Sequence, residues 1–364
     1  MKNAQRVFLF GLSLLLVIAP LQVANAQATG VQVRITQVDN SKFPQVTLYV
    51  SVTDSNGEPL AVDPAKLRIS ENGSVMKPSE VSGSGDIGPL TTLLVMDVSG
   101  SMNNAGKLSA AKAAAQAYVD QMRPGDQAGL LTFNTKVTYV QAITTDHAAL
   151  SQAINSLKAE NDTAMFDALV EANQILQEYA GRKAIILLTD GLDNQSKNTS
   201  NQVTKTIGAS GLSISTIGLG NPDNAGPYFG LDETVLKSLA EKAGGVYSYA
   251  NNPADLSRLY TLYGRALQSE YRITYTTPST LRDGLGRTLT VTLSKTVSTK
   301  TSYNPGGLLP EVASPAPWTI FLGLLAILIV LLFVPGVVNR FLVRKPAKAG
   351  QGDSLKSKAR ITLK

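Results

Sequence analysis

Residues 91–102 read TTLLVMDVSGSM. An unbroken apolar run, Leu93 to Met96, ends in one carboxylate, Asp97, and hydroxyls follow at alternate positions, Ser99 and Ser101. A short run with no polar alternation suits a strand buried on both faces, as in a parallel sheet. Three more short, mostly apolar runs follow: AGLLTF (128–133), AIILLTD (184–190) and SISTIGLG (213–220). Helical periods separate them. KLSAAKAAAQAYVDQM (107–122) puts Leu108, Ala111, Ala115, Tyr118, Val119 and Met122 on one face, and TAMFDALVEANQILQEYA (163–180) does so with Met165, Leu169, Ala172, Leu176 and Tyr179. In DLSRLYTLYGRALQ (255–268), Leu256, Leu259, Tyr260, Tyr263 and Leu267 mark a closing helix whose aromatics belong to the core. Strands alternating with amphipathic crossovers over 90–268 predict an α/β domain, a mostly parallel sheet between helices.

The flanks have a two-residue period instead. VQVRITQV (31–38), QVTLYVSVT (45–53) and KLRIS (66–70) precede the α/β region, with turns at Asp54-Ser55-Asn56-Gly57 and Asn72-Gly73. YRITYTT (271–277) and RTLTVTLSK (287–295) follow it, around a turn at 282–286. Neither flank has enough strands to bury a core alone. The β segments 27–89 and 269–309 are therefore expected to combine into one small β-sandwich, with the α/β domain inserted between them. A spacer, 310–317, ends in Ser314-Pro315-Ala316-Pro317.

The two ends of the chain bear on location. Residues 1–26 set Lys2 and Arg6 before an apolar stretch and finish Ala24-Asn25-Ala26, the pattern of an export signal peptide. Trp318 to Val338 carries no charge, and its 21 residues at ~1.5 Å each match the ~30 Å of a bilayer's hydrocarbon, which predicts a transmembrane helix. The tail 339–364 holds eight basic residues against Asp353, a cytoplasmic flank by the positive-inside rule. The expectation is a single-pass membrane protein with its N-terminal domain extracytoplasmic and a basic cytoplasmic tail.

Of the formal charge of +6, tail and leader carry more than the whole, and the segment between is mildly acidic. A nucleic-acid partner is thereby excluded, since the basic pI belongs to the tail and no basic stripe marks the folded part. The chain has no cysteine, which removes disulfides, thiolate metal sites and thiol nucleophiles. Gly83 to Gly88 satisfies a dinucleotide-loop spacing but precedes a strand, and GSMNNAGKL (100–108) is one residue too long for a phosphate loop and lacks its Ser/Thr; nucleotide binding is not expected. His147 is the only histidine and falls at a helix start, a surface position.

In an open α/β sheet, ligands bind beyond the carboxyl ends of the strands. Two of the apolar runs end there in aspartate, Asp97 and Asp190; Ser99 and Ser101 alternate onto the side Asp97 faces, and Thr163 opens the next crossover helix. Carboxylates and hydroxyls form a hard-oxygen set suited to Mg²⁺, with Mn²⁺ or Ca²⁺ possible, and not to zinc or copper. Because most of these ligands are neutral, the cation would stay electrophilic toward an incoming carboxylate. Helix capping by Asp97 and Ser101 explains single residues but not all five positions together.

Asp97-x-Ser99-x-Ser101, then Thr163, then Asp190 in TDGLDN resemble the metal-ion-dependent adhesion site of von Willebrand factor A-type (VWA) domains, over roughly 91–268. The flanking VTDSNGEPL and LRISENG resemble β segments around such domains in bacterial surface proteins. The resemblance implies a Rossmann-like fold, direct ligation by Ser99, Ser101 and Thr163, and direct or water-mediated contact from Asp97 and Asp190. It implies adhesion or protein–protein binding through a partner's Asp or Glu, not catalysis. An accessory subunit of a membrane secretion or envelope-assembly complex, and a metal-dependent hydrolase, are the alternative expectations.

Overall fold

The computed structural model describes residues 30–83, 87–208, 211–220, 231–307, 322–332 and 334. The leader 1–26, the spacer 310–317, both ends of the apolar stretch 318–338 and the tail 339–364 lie outside the described residues. Residues 322–332 are helical, and no helix among the described residues is long and apolar enough to cross a membrane.

The first flank supplies β1 (Gln32–Asp39), β2 (Gln45–Thr53), β3 (Arg68–Glu71), β4 (Ser74–Met76) and β5 (Pro78–Ser82). The central region runs β6 (Leu90–Asp97), α1 (Lys107–Asp120), β7 (Gln127–Phe133), β8 (Val137–Thr144), α2 (His147–Ser156), α3 (Met165–Gln177) and β9 (Arg182–Thr189). It continues through α4 (Ser200–Gly208), β10 (Ser213–Leu219), α5 (Glu233–Lys242), β11 (Tyr247–Ala250) and α6 (Pro253–Gln268). The second flank gives β12 (Tyr271–Thr276), β13 (Arg287–Thr292) and β14 (Ser298–Tyr303).

The central sheet has the order β11-β10-β9-β6-β7-β8, parallel throughout except that β8 runs antiparallel to β7. Every residue of β6 is buried, because each face meets a helical layer. Leu94, Met96, Ile186 and Leu188 point to the layer of α1 and α6, where Tyr260 and Tyr263 are core residues; Leu93, Val95, Ile185 and Leu187 point to the layer of α3 and α5. From β6 the chain moves one way to β7 and later returns on the other side to β9. The β6/β9 boundary is thus the topological switch point, where a crevice opens at the strands' carboxyl ends.

The flanks interleave. One four-stranded sheet has the order β1-β2-β12-β5 and the other β14-β13-β3-β4, so each contains strands from before and after the α/β region. Val46, Leu48, Val50, Ile69, Ile273, Tyr275, Leu289 and Val291 fill the core between them. The 271–277 and 287–295 runs flank a turn yet belong to different sheets, each completing strands laid down some two hundred residues earlier.

The sandwich is fastened to the amino-terminal edge of the central sheet. Gln37 of β1 donates through Nε2 to Gly181 O at 2.8 Å and accepts from Lys183 N at 2.9 Å, mimicking a strand partner for the start of β9. Gly244 is left-handed (φ +71), and a Cβ there would lie 2.3 Å from Ile35 O, so β1 approaches this turn as only glycine allows.

Candidate metal centre

The oxygens at the switch point are built from the strand ends outward. Past Asp97 the chain is held by loop 159–163: Glu160 N donates to Val98 O at 2.8 Å and Gly100 N to Asn161 O at 2.7 Å. A Cβ at Gly100 would come within 3.2 Å of that same carbonyl, so glycine permits the close approach. Ser99 is still extended (φ −67, ψ 166) and caps the 3-10 helix Gly100–Gly106, whose first turn brings Ser101 back beside it, the two Oγ atoms 3.0 Å apart. Ser101 Oγ donates to Asp190 Oδ1 at 2.6 Å, and Lys107 Nζ donates to Asp190 Oδ2 at 2.6 Å. Asp97 accepts from Ser99 N at 2.8 Å and from Thr189 Oγ1 at 2.6 Å.

Thr163 is buried, and its Oγ1 would lie 3.7 Å from a Cβ at Gly191, the residue after Asp190. The structure thus joins Asp97, Ser99, Ser101 and Asp190 in one hydrogen-bonded cluster and brings Thr163 to its border. Thr163 is held from the loop after β9: Asn194 Oδ1 accepts from Thr163 N at 3.0 Å, and Asp193 Oδ2 caps α3 by accepting from Phe166 N at 2.9 Å. Segment 191–198 therefore clamps the start of α3, with Asp167 in turn accepting from Lys197 N and Asn198 N.

Burial, first of all, pushes the Asp97 carboxyl up to about 6, against the hydrogen bonds from Ser99 and Thr189; the charge of Asp190 adds to the rise. Two carboxylates gathered in a buried pocket are unfavourable unless a cation joins them. The donor set fits a hard cation. Adjacent ligands of an octahedral ion with ~2.1 Å bonds lie ~3.0 Å apart, which is the Ser99–Ser101 separation of 3.0 Å. Ser101 gives its proton to Asp190, which leaves its lone pairs for another partner.

His147 begins α2, where Asp146 caps the helix. Lys107 and Thr189 join the cluster without any signal in the spacing of the motif.

A family model described as von Willebrand factor type A domain matches residues 92–192. Among curated proteins, the chain is similar to a UPF0353 protein of Mycolicibacterium paratuberculosis, 28% identical over 202 residues that cover 49% of this chain. The match spans 60% of that relative's length. Among solved structures, a von Willebrand factor type A protein from Catenulispora acidiphila is 14% identical with a TM-score of 0.45, over 75% of this chain and 73% of that one. Proximal thread matrix protein 1 from the mussel byssus, with a zinc-occupied adhesion motif, is 20% identical with a TM-score of 0.45, over 54% and 49% of the two chains. The matched residues run from β6 through Asp97, Ser99, Ser101 and Thr163 to Asp190, and this chain carries a von Willebrand factor type A domain.

Proposed function

We propose that the domain is a metal-dependent protein-binding module held outside the cytoplasmic membrane, where it grips a partner's Asp or Glu side chain. The observation that supports it most is the convergence of Ser99, Ser101 and Asp190 within 3.0 Å contacts at the switch point, with Asp97 buried behind them. Ser99, Ser101 and Thr163 would hold a divalent cation, Mg²⁺ first, with Asp97 and Asp190 balancing its charge. Bound there, such a cation supplies an electrophilic position for a carboxylate oxygen. The reading is of binding and not of catalysis. The leader 1–26, the apolar 318–338 and the basic tail are proposed as export signal, membrane anchor and cytoplasmic flank.

The test is metal uptake followed by partner capture. Asp97→Asn keeps the shape of a buried side chain and removes its charge, so Mg²⁺ affinity measured by calorimetry is expected to fall about 10- to 100-fold. Capture of binding proteins by the wild type is expected to vanish with a chelator. Undiminished Mg²⁺ uptake by Asp97→Asn, or capture indifferent to chelator, removes the proposal.

The raised Asp97 pKa adds a pH signature. A carboxyl whose folded pKa lies above its unfolded value binds protons more tightly in the native chain, so metal-free stability falls as pH rises from about 4 to about 6 and then levels. The change is on the order of 3 kcal/mol at most. Mg²⁺ reverses the trend because it binds the ionised form. Thermal melts between pH 4 and 7, with chelator and with saturating Mg²⁺, measure both slopes.

A further inference from the structure

Lys107 stands where local structure gives no reason for a cation. It is the first residue of α1, and a helix amino terminus carries partial positive charge that disfavours a lysine; no acid in the first turn offsets it. The chain reaches it through two left-handed residues, Ala105 (φ 50) and Gly106 (φ 71), and for alanine that conformation is strained. Yet the side chain is only 25% exposed, and its Nζ lies 2.6 Å from Oδ2 of Asp190, a carboxylate with 0% side-chain exposure. Asp190's two oxygens are thus divided between Ser101 and Lys107.

We propose that Lys107 is a built-in counter-cation of the metal centre. It holds Asp190 in place when no metal is bound, and it sets both the metal affinity and the charge that a partner meets. This rests on the metal-binding reading above. Asp97 and Asp190 bring two negative charges and Lys107 one positive, so a divalent ion leaves the occupied site at +1. Without Lys107 the occupied site would be neutral, and a neutral centre has little electrostatic pull on a carboxylate. The lysine therefore weakens metal binding and strengthens the hold on an acidic partner; the two effects have opposite signs, which a purely structural role does not produce.

The experiment uses the full chain in detergent, as wild type, Lys107→Met and Lys107→Arg. Mg²⁺ titration by calorimetry is expected to show Lys107→Met binding about tenfold more tightly than wild type, with Lys107→Arg close to wild type. In chelator, Lys107→Met is expected to melt below wild type, and saturating Mg²⁺ to raise its Tm by more. Acetate, as a minimal carboxylate, is expected to bind Mg²⁺-loaded Lys107→Met more weakly than loaded wild type. If wild type takes up Mg²⁺ and Lys107→Met takes it up no more tightly, or if acetate binds both alike, Lys107 is not the counter-cation and the metal centre stands without it. If neither protein takes up Mg²⁺, the metal reading and this inference fall together.

Discussion

Arg182→Ala is expected to destabilise the protein by about 3–5 kcal/mol, and to split a single denaturant transition into two. Arg182 opens β9 with 2% side-chain exposure and ties together both points where the chain crosses between sandwich and α/β domain. Its guanidinium donates to Gly88 O at 3.3 Å on the way in, and on the way out to Leu267 O and to Glu270 Oε2 at 2.6 Å. It also lies over the ring of Tyr49 in β2, 5.5 Å from the centroid. Truncation leaves Glu270 charged, buried and alone, with its Oε1 already lacking a partner among the described residues. The Leu267 and Gly88 carbonyls each lose a donor as well, although Gly88 O keeps Arg123 Nη2 at 3.4 Å. Replacing both charges, as Arg182→Met with Glu270→Leu, removes the stranded ion and is expected to recover much of the loss but not the two carbonyl bonds. Urea unfolding followed by two probes, one in each part, measures the split; coincident transitions with a loss under 1 kcal/mol would show that Arg182 joins nothing.

Legibility from sequence followed burial. The strands β6 and β9 read clearly because they are covered on both faces and carry unbroken apolar runs, and those runs lead to Asp97 and Asp190. Strand β8 did not, for the opposite reason. As the antiparallel edge of the central sheet it is half-exposed along VTYVQAIT, and its polar residues look like loop. The short β11 and the more polar α4 and α5 carry a similarly faint signal.

Charged residues that end up inside were the least legible. Nothing near Arg182 in RKAIILLTD or Glu71 in LRISENG marks them as buried, because the partner that permits burial lies far along the chain. Lys107 was hidden in the same way, its partner Asp190 being 83 residues on. Side chains that serve backbone groups across the crevice, as Asp193 and Asn194 do for α3 and Thr163, leave no periodic trace either. The DxSxS pattern is readable because its geometry is local: a strand end, an extended cap and the first turn of a 3-10 helix fall within five residues and fix the spacing of Asp97, Ser99 and Ser101.

Glu71 carries the second large effect. It sits at the end of β3 with 5% exposure, inside the sandwich, and every partner of its carboxylate comes from the other flank. Tyr275 OH on β12 donates to Oε2 at 2.6 Å, Tyr303 OH on β14 donates to the same oxygen at 3.0 Å, and Thr277 Oγ1 donates to Oε1 at 2.7 Å. Arg287 of β13 lies 3.6 Å from Oε1 and is itself fixed by Ser279 O at 3.0 Å and Leu281 O at 2.9 Å. Its guanidinium also covers the Phe43 ring at 5.0 Å. Glu71→Ala strips three hydroxyls of their acceptor and leaves Arg287 buried with only Asp283, 3.6 Å away, as counter-charge. A loss of about 3–5 kcal/mol is expected, concentrated in the sandwich. Glu71→Gln keeps the volume and one acceptor oxygen, so about half that loss is expected. Amide exchange should then quicken across β12 to β14 in Glu71→Ala while β6 and β9 keep their protection, because the central sheet has its own two cores. Since the metal centre lies at the carboxyl ends of the central strands, which have cores of their own, loosening β12 to β14 is expected to leave Mg²⁺ uptake at Asp97 unchanged. Mg²⁺ affinity falling in parallel with the exchange would mean that sandwich and metal centre unfold as one.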